Sequence, residues 1–147
     1  MSKLFTPYKI NHLELPNRII IAPMCQYSAE NGKATPWHTM HYGNLSHSGA
    51  GLLIFEATAV EPEGRISYQD LGLYNDECEK ALSQTVQNIK IYSNMPLAIQ
   101  LAHAGRKAST DVPWKTHKQI KSDQLNGWKT VAPSSVSFNS SDEEPHE

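Results

Sequence analysis

Three short stretches of unbroken apolarity divide the chain: Ile19-Ile20-Ile21-Ala22, Leu52-Leu53-Ile54-Phe55 and Leu97-Ala98-Ile99-Gln100-Leu101. Continuous rather than alternating apolarity marks strands covered on both faces, so the pattern predicts parallel strands. Ahead of them Tyr8, Ile10, Leu13 and Leu15 alternate with polar residues around Asn11-His12, which predicts a hairpin preceding the main sheet. Between the first two runs Thr35 stands before Pro36, and Trp37, Met40, His41 and Leu45 follow at helical spacing up to Gly49. A capping threonine followed by proline is a helix start, because the proline's missing N–H falls where no intrahelical bond is made. Between the second and third runs Asp76 and Glu79 have the form of a capping box, Leu82, Val86 and Ile89 make an apolar stripe, and Asn94 and Pro96 stop it.

The order is hairpin, strand, helix, strand, helix, strand, which leads to an α/β fold, either an open doubly wound sheet or a (β/α)8 barrel. A dinucleotide-binding sheet wants G-x-G-x-x-G after its first strand. Here that turn reads Ala22-Pro23-Met24-Cys25-Gln26-Tyr27, and Gly49-Ala50-Gly51 precedes a strand instead of following one. The barrel is the better reading. It takes about 250 residues and eight strands, so residues 1–147 are expected to be the N-terminal part of a single TIM-barrel domain, with about three βα units and no fourth barrel strand.

Composition narrows the function. Thirteen Lys and Arg against 15 Asp and Glu give a net charge of -2, so no bulk basic field exists to hold nucleic acid or an anionic membrane. No apolar run approaches the roughly 20 residues of a membrane span, and the N-terminus has no apolar signal core, which predicts a cytoplasmic protein. Hydrophobic residues at 39% and charged residues at 19% support a folded core, while nine prolines imply long connections. Cys25 and Cys78 form no C-x-x-C, so a zinc ribbon and a thioredoxin-like motif are both excluded and both thiols are expected to be reduced. His38 and His41 share a helical face, but without H-E-x-x-H or a supporting carboxylate no metal site is expected.

Barrel active sites lie at the C-terminal ends of the strands. That directs attention to Pro23, Met24, Cys25 and Tyr27, to Ala57 and Thr58 after Glu56, and to Gln100 and His103 before Gly105-Arg106-Lys107. An amide, a thiol, a phenol and small residues together suit a flat aromatic cofactor. Taken singly, Cys25 also reads as a small core residue, Gln100 as a core amide, Tyr27 as a rim aromatic and Met24 as packing.

In these positions the chain resembles the old yellow enzyme flavoprotein reductases, the NADH:flavin oxidoreductases, and within them the bacterial YqjM-like and xenobiotic-reductase-like branch. The blocks that carry the resemblance are Leu4-Phe5-Thr6-Pro7, Leu15-Pro16-Asn17-Arg18-Ile19, Ala22-Pro23-Met24-Cys25-Gln26-Tyr27-Ser28, Glu56-Ala57-Thr58-Ala59-Val60, Gly64-Arg65, Gln100-Leu101-Ala102-His103-Ala104-Gly105-Arg106-Lys107 and Val131-Ala132-Pro133-Ser134. The resemblance implies a barrel that binds FMN non-covalently, takes reducing equivalents from NAD(P)H and passes hydride from flavin N5 to the C=C bond of an activated alkene such as an enone. It implies that Pro23, Met24, Cys25 and Ala57 lie against the flavin ring and that Gln100 bonds its pyrimidine edge. Cys25, as a potential modulator, and Tyr27, facing the substrate, would be the catalytic residues. The family's substrate-binding imidazoles and its tyrosine proton donor come from later in the barrel, so His103 inherits no role. Arg106 and Lys107 meet flavin or substrate oxygens, or form a solvated basic pair. The implied enzyme is completed by a C-terminal barrel segment or a second chain and is a homo-oligomer when complete. The competing reading is a non-catalytic half-barrel that self-associates as a binding or scaffold module.

Overall fold

The computed structural model describes residues 2–147. The expected hairpin is formed by β1 (Tyr8–Ile10) and β2 (Leu13–Leu15), paired antiparallel. Asn11 makes the reversal with φ of 51°, a left-handed conformation that asparagine tolerates better than most residues. Past the buried Leu15, Asn17 donates from Nδ2 to the Gly49 carbonyl at 2.8 Å. Its own carbonyl oxygen would lie 2.5 Å from any Cβ placed on Gly51. The hairpin is therefore tied to the N-terminal ends of the strands that follow.

The chain then runs through β3 (Ile20–Ile21), α1 (Pro36–Leu45), β4 (Leu52–Ala59), β5 (Leu71–Gly72), α2 (Asp76–Lys90) and β6 (Leu97–Ala102). β3, β5 and β6 all pair with β4, and all in parallel. β6 lies along the whole of β4, from Leu53 opposite Leu97 to Ala59 opposite Ala102. A strand has two edges, so β3, at Leu52 and Leu53, and β5, at Thr58 and Ala59, share the other one. Between them that edge is open to the turn that leaves β3.

Both helices pack on one face of the sheet and against each other. Tyr42, Leu53, Phe55 and Ile89 form the buried core there, with Ile21, Leu45, Val86, Leu97 and Ile99 around it. Successive crossovers that place their helices on one face curl a sheet toward a barrel, whereas a doubly wound sheet puts helices on both faces.

Several boundaries differ from expectation. α1 stops at Leu45, short of Gly49, and α2 stops at Lys90, short of Asn94. The cap of α2 is Asn75, whose side chain accepts from the Cys78 amide at 2.9 Å, rather than Asp76. β4 extends four residues beyond its apolar run, through Glu56 to Ala59. β6 is not covered on both faces, since Gln100 and Leu101 are exposed. Among the described residues no helix is long and apolar enough to cross a membrane.

Candidate functional site

The register of β4 and β6 slips between Phe55 and Ala57, leaving Glu56 as the extra residue of a β-bulge. A regular strand sends neighbouring side chains to opposite faces. Here both Phe55 and Glu56 reach α1. Phe55 packs edge-on against Tyr42 with ring centroids 4.1 Å apart, and the Tyr42 hydroxyl donates to Glu56 Oε1 at 2.9 Å. The same hydroxyl accepts the Glu56 backbone N–H at 3.0 Å, satisfying the amide that the bulge takes out of the ladder. Alternation resumes at Ala57, directly opposite Gln100.

Glu56 is fully buried, and its second oxygen faces the turn after β3. Oε2 accepts the Gln26 amide at 2.8 Å. His38, also fully buried, turns Nε2 toward Oε1 at 3.4 Å. Its Nδ1 accepts from the Thr35 amide at 2.9 Å, so Nε2 carries the ring proton and points it at the carboxyl. The contact is too long for a full hydrogen bond, and no other partner meets that nitrogen. A buried acid in an apolar strand is costly unless its oxygens are met, and here three side or main chains converge on it.

The turn held in this way carries Pro23, Met24, Cys25 and Tyr27. Cys25 is half-buried, and its thiol is pushed up to about 12, first by burial and then by the nearby Asp70 and Glu56 carboxylates, with the Ala57 and Cys25 backbone amides acting the other way. It is a neutral thiol at physiological pH, not a nucleophilic thiolate. Tyr27 has φ of 49°, a conformation that costs about 1–3 kcal/mol in a non-glycine residue and is found where the surroundings enforce it. Its ring meets Trp114 edge-on at 5.7 Å, and burial, Cys25, Asp70 and Glu56 all raise its phenol. Asp70 is buried and held by the Ser67 amide at 2.9 Å and the Ser67 hydroxyl at 3.0 Å.

Six of the residues singled out from sequence thus lie on one stretch of the strand ends. Cys25 abuts Ala57, Ala57 is paired with Gln100, and Pro23, Met24 and Tyr27 flank Cys25 along the chain. Met24 and Gln100 are exposed, and the Gln100 amide has no protein partner among the described residues. Residues further along the loop after β6 are engaged by other parts of the chain. His103 donates from Nε2 to Glu61 at 2.6 Å and accepts the Gly105 amide at Nδ1, which orients the loop after β6. Arg106 is spent on the Val136 carbonyl and the Ser134 hydroxyl, both at 2.9 Å, and Lys107 lies over the Phe138 ring. The Arg106 guanidinium is thereby occupied, whereas the Lys107 ammonium stays exposed to solvent. His41 stacks on Trp37 at 6.3 Å, and among the described residues no cluster could hold a metal ion.

Glu56 and Tyr42 were given no role from the sequence, and His38 was weighed only as a metal ligand. The available signal was a lone acid inside an otherwise apolar strand, a residue type almost never buried without partners.

A model of the NADH:flavin oxidoreductase / NADH oxidase family matches residues 3–143. An NADPH dehydrogenase of Bacillus cytotoxicus is 45% identical over 140 residues, covering 94% of this chain and 36% of its own length. An NADH:flavin oxidoreductase of Gibberella zeae is 42% identical over 137 residues, covering 92% of this chain and 33% of its own. Among solved structures, morphinone reductase matches with a TM-score of 0.70 at 28% identity, over 92% of this chain and 33% of that one. The old yellow enzyme of Trypanosoma cruzi matches with a TM-score of 0.70 at 27% identity, over 99% and 41%. The chain spans about a third of the length of the curated relatives it matches, and its sheet is the N-terminal part of a TIM barrel.

Proposed function

The chain belongs to the NADH:flavin oxidoreductase / NADH oxidase family, and on that premise we propose that it supplies the first wall of an FMN site in an NAD(P)H-dependent ene-reductase. Bound FMN supplies the hydride transfer that reduces the C=C bond of an activated alkene such as an enone. The residues present fit that group. Gln100 offers an unpartnered donor and acceptor beside the small Ala57, which leaves room for a flat ring, and Pro23, Met24 and Cys25 border the same surface. This juxtaposition carries the reading.

In it, Gln100 matches the alternating carbonyl and N–H groups of a flavin's pyrimidine edge. Cys25, kept neutral by burial and two nearby carboxylates, is a weak donor that tunes the ring's electronics. Tyr27, its ring set against Trp114, faces the acceptor and orients it, since hydride transfer requires the reacting atoms near van der Waals contact. The remaining strands, on a C-terminal segment or a second polypeptide, complete the barrel.

Gln100→Ala tests the reading. In the barrel assembled from this chain and the remaining strands, it leaves a flavin edge unpaired at roughly 1–3 kcal/mol. FMN titration, followed by quenching of flavin fluorescence, should therefore show a dissociation constant weakened by about fivefold to 150-fold. An unchanged constant removes Gln100 from the site and the reading with it.

A further inference from the structure

We propose that Glu56 is a positioning residue, holding the 24–27 turn through its hydrogen bond to the Gln26 amide so that Cys25 and Tyr27 are presented together. The inference rests on the flavin-site reading for its purpose, although the clamp stands on geometry alone. Packing does not require an acid at this point, because an aliphatic side chain fills a strand interior more cheaply. What an aliphatic residue lacks is two oxygens facing two directions. Oε1 is held on the helix side by the Tyr42 hydroxyl, with His38 Nε2 beyond it, and Oε2 reaches across to the turn.

The contacts form a circuit that brackets Tyr27. On its N-terminal side the Gln26 amide is held by Glu56. On its C-terminal side the Ser28 carbonyl accepts the Thr35 hydroxyl at 3.0 Å, and the Ser28 hydroxyl donates back to the Gln26 carbonyl at 2.9 Å. Thr35 then joins His38 through its amide, and His38 faces Glu56 again. A left-handed tyrosine persists only where its surroundings over-determine it, and this circuit does so. The bulge is what aims the acid into the circuit, since a regular strand would put Phe55 and Glu56 on opposite faces.

The two cysteines provide the test. Cys25 lies in the clamped turn, whereas the buried Cys78 lies in α2, outside the circuit. Iodoacetamide labelling of the chain, followed by peptide mass spectrometry, gives each thiol its own rate. Glu56→Ala should accelerate Cys25 by about tenfold while leaving Cys78 within about twofold, as expected of a local opening rather than a global one. Glu56→Gln removes the same charge but keeps an acceptor for the Gln26 amide, and should recover most of the protection. Equal acceleration of both thiols makes Glu56 a general core residue and overturns the proposal. So does no acceleration of Cys25, or a Glu56→Gln chain as reactive as Glu56→Ala.

In the FMN-loaded barrel, Glu56→Ala should shift the flavin midpoint potential, and the shift should vanish in a Cys25→Ala background. A shift that persists there overturns action through Cys25. A barrel that takes up no flavin, while Cys25 is still selectively exposed by Glu56→Ala, supports the clamp and sinks the flavin reading instead.

Discussion

Asp70 is kept among groups that disfavour its charge. Burial and the Glu56 carboxylate raise it from 3.8 to about 6, although the Ser67 amide and hydroxyl pull the other way. The folded chain therefore binds this proton more tightly than the unfolded one. As pH rises from about 4 to about 6 the unfolded chain releases the proton first, so stability falls across that window by up to about 3 kcal/mol and stays lower above it. Asp70→Asn keeps an acceptor for the Ser67 amide and removes the titration. Urea midpoints at pH 4.5 and pH 7.5 should then differ less in the variant than in the parent chain, and an equal difference in both assigns the slope to another group. Burial, and after it the same two carboxylates, raises the Cys25 thiol, so it stays protonated at physiological pH.

At the scale of elements, the start of α2 depends on a single side chain. Asn75 accepts the Cys78 amide, one of the donors that a helix N-terminus leaves unmet, and Asp76, Glu77 and Glu79 fill the first turn with charge of the sign the helix dipole favours. Asn75→Ala should cost about 1 kcal/mol, seen as a lower urea midpoint with an unchanged slope. A change inside about 0.3 kcal/mol would show that the acidic first turn suffices. The apolar runs marked three of the strands through unbroken apolar residues that need no distant partner to be seen, although only β4 is buried along most of its length. β5 escaped that reading because Leu71 and Gly72 carry no pattern of their own and become a strand only by lying on the edge of β4 that β3 leaves free.

Across the whole molecule, the sheet ends in two edges. Ile20 on β3 and Leu101 on β6 are 44% and 60% exposed, and unpaired strand edges with apolar surface template association. We expect the isolated chain to self-associate, and to form a discrete complex that binds FMN when mixed with a polypeptide carrying the remaining strands. Sedimentation velocity with absorbance in the flavin band separates the outcomes. A monomeric, cooperatively folding chain that binds FMN unaided would contradict this and require a site built from different residues.

Apart from β5, the order of the hairpin, strands and helices, the parallel pairing and the position of Cys25, Tyr27, Ala57 and Gln100 toward the strand ends were legible in the sequence, because hydrophobic periodicity and capping act over a few neighbouring residues. The motif resemblance added the expectation of flavin chemistry at those positions. Tertiary structure alone decided the rest. His103 and Arg106 look like available ligands until Glu61, Val136 and Ser134 are brought to them across distances that no local pattern encodes. Glu56 reads as an interruption of an apolar strand until the bulge turns it toward Tyr42 and Gln26, residues 14 and 30 positions away. Its role arises from hydrogen bonds whose partners meet only once the strand and the helix have packed.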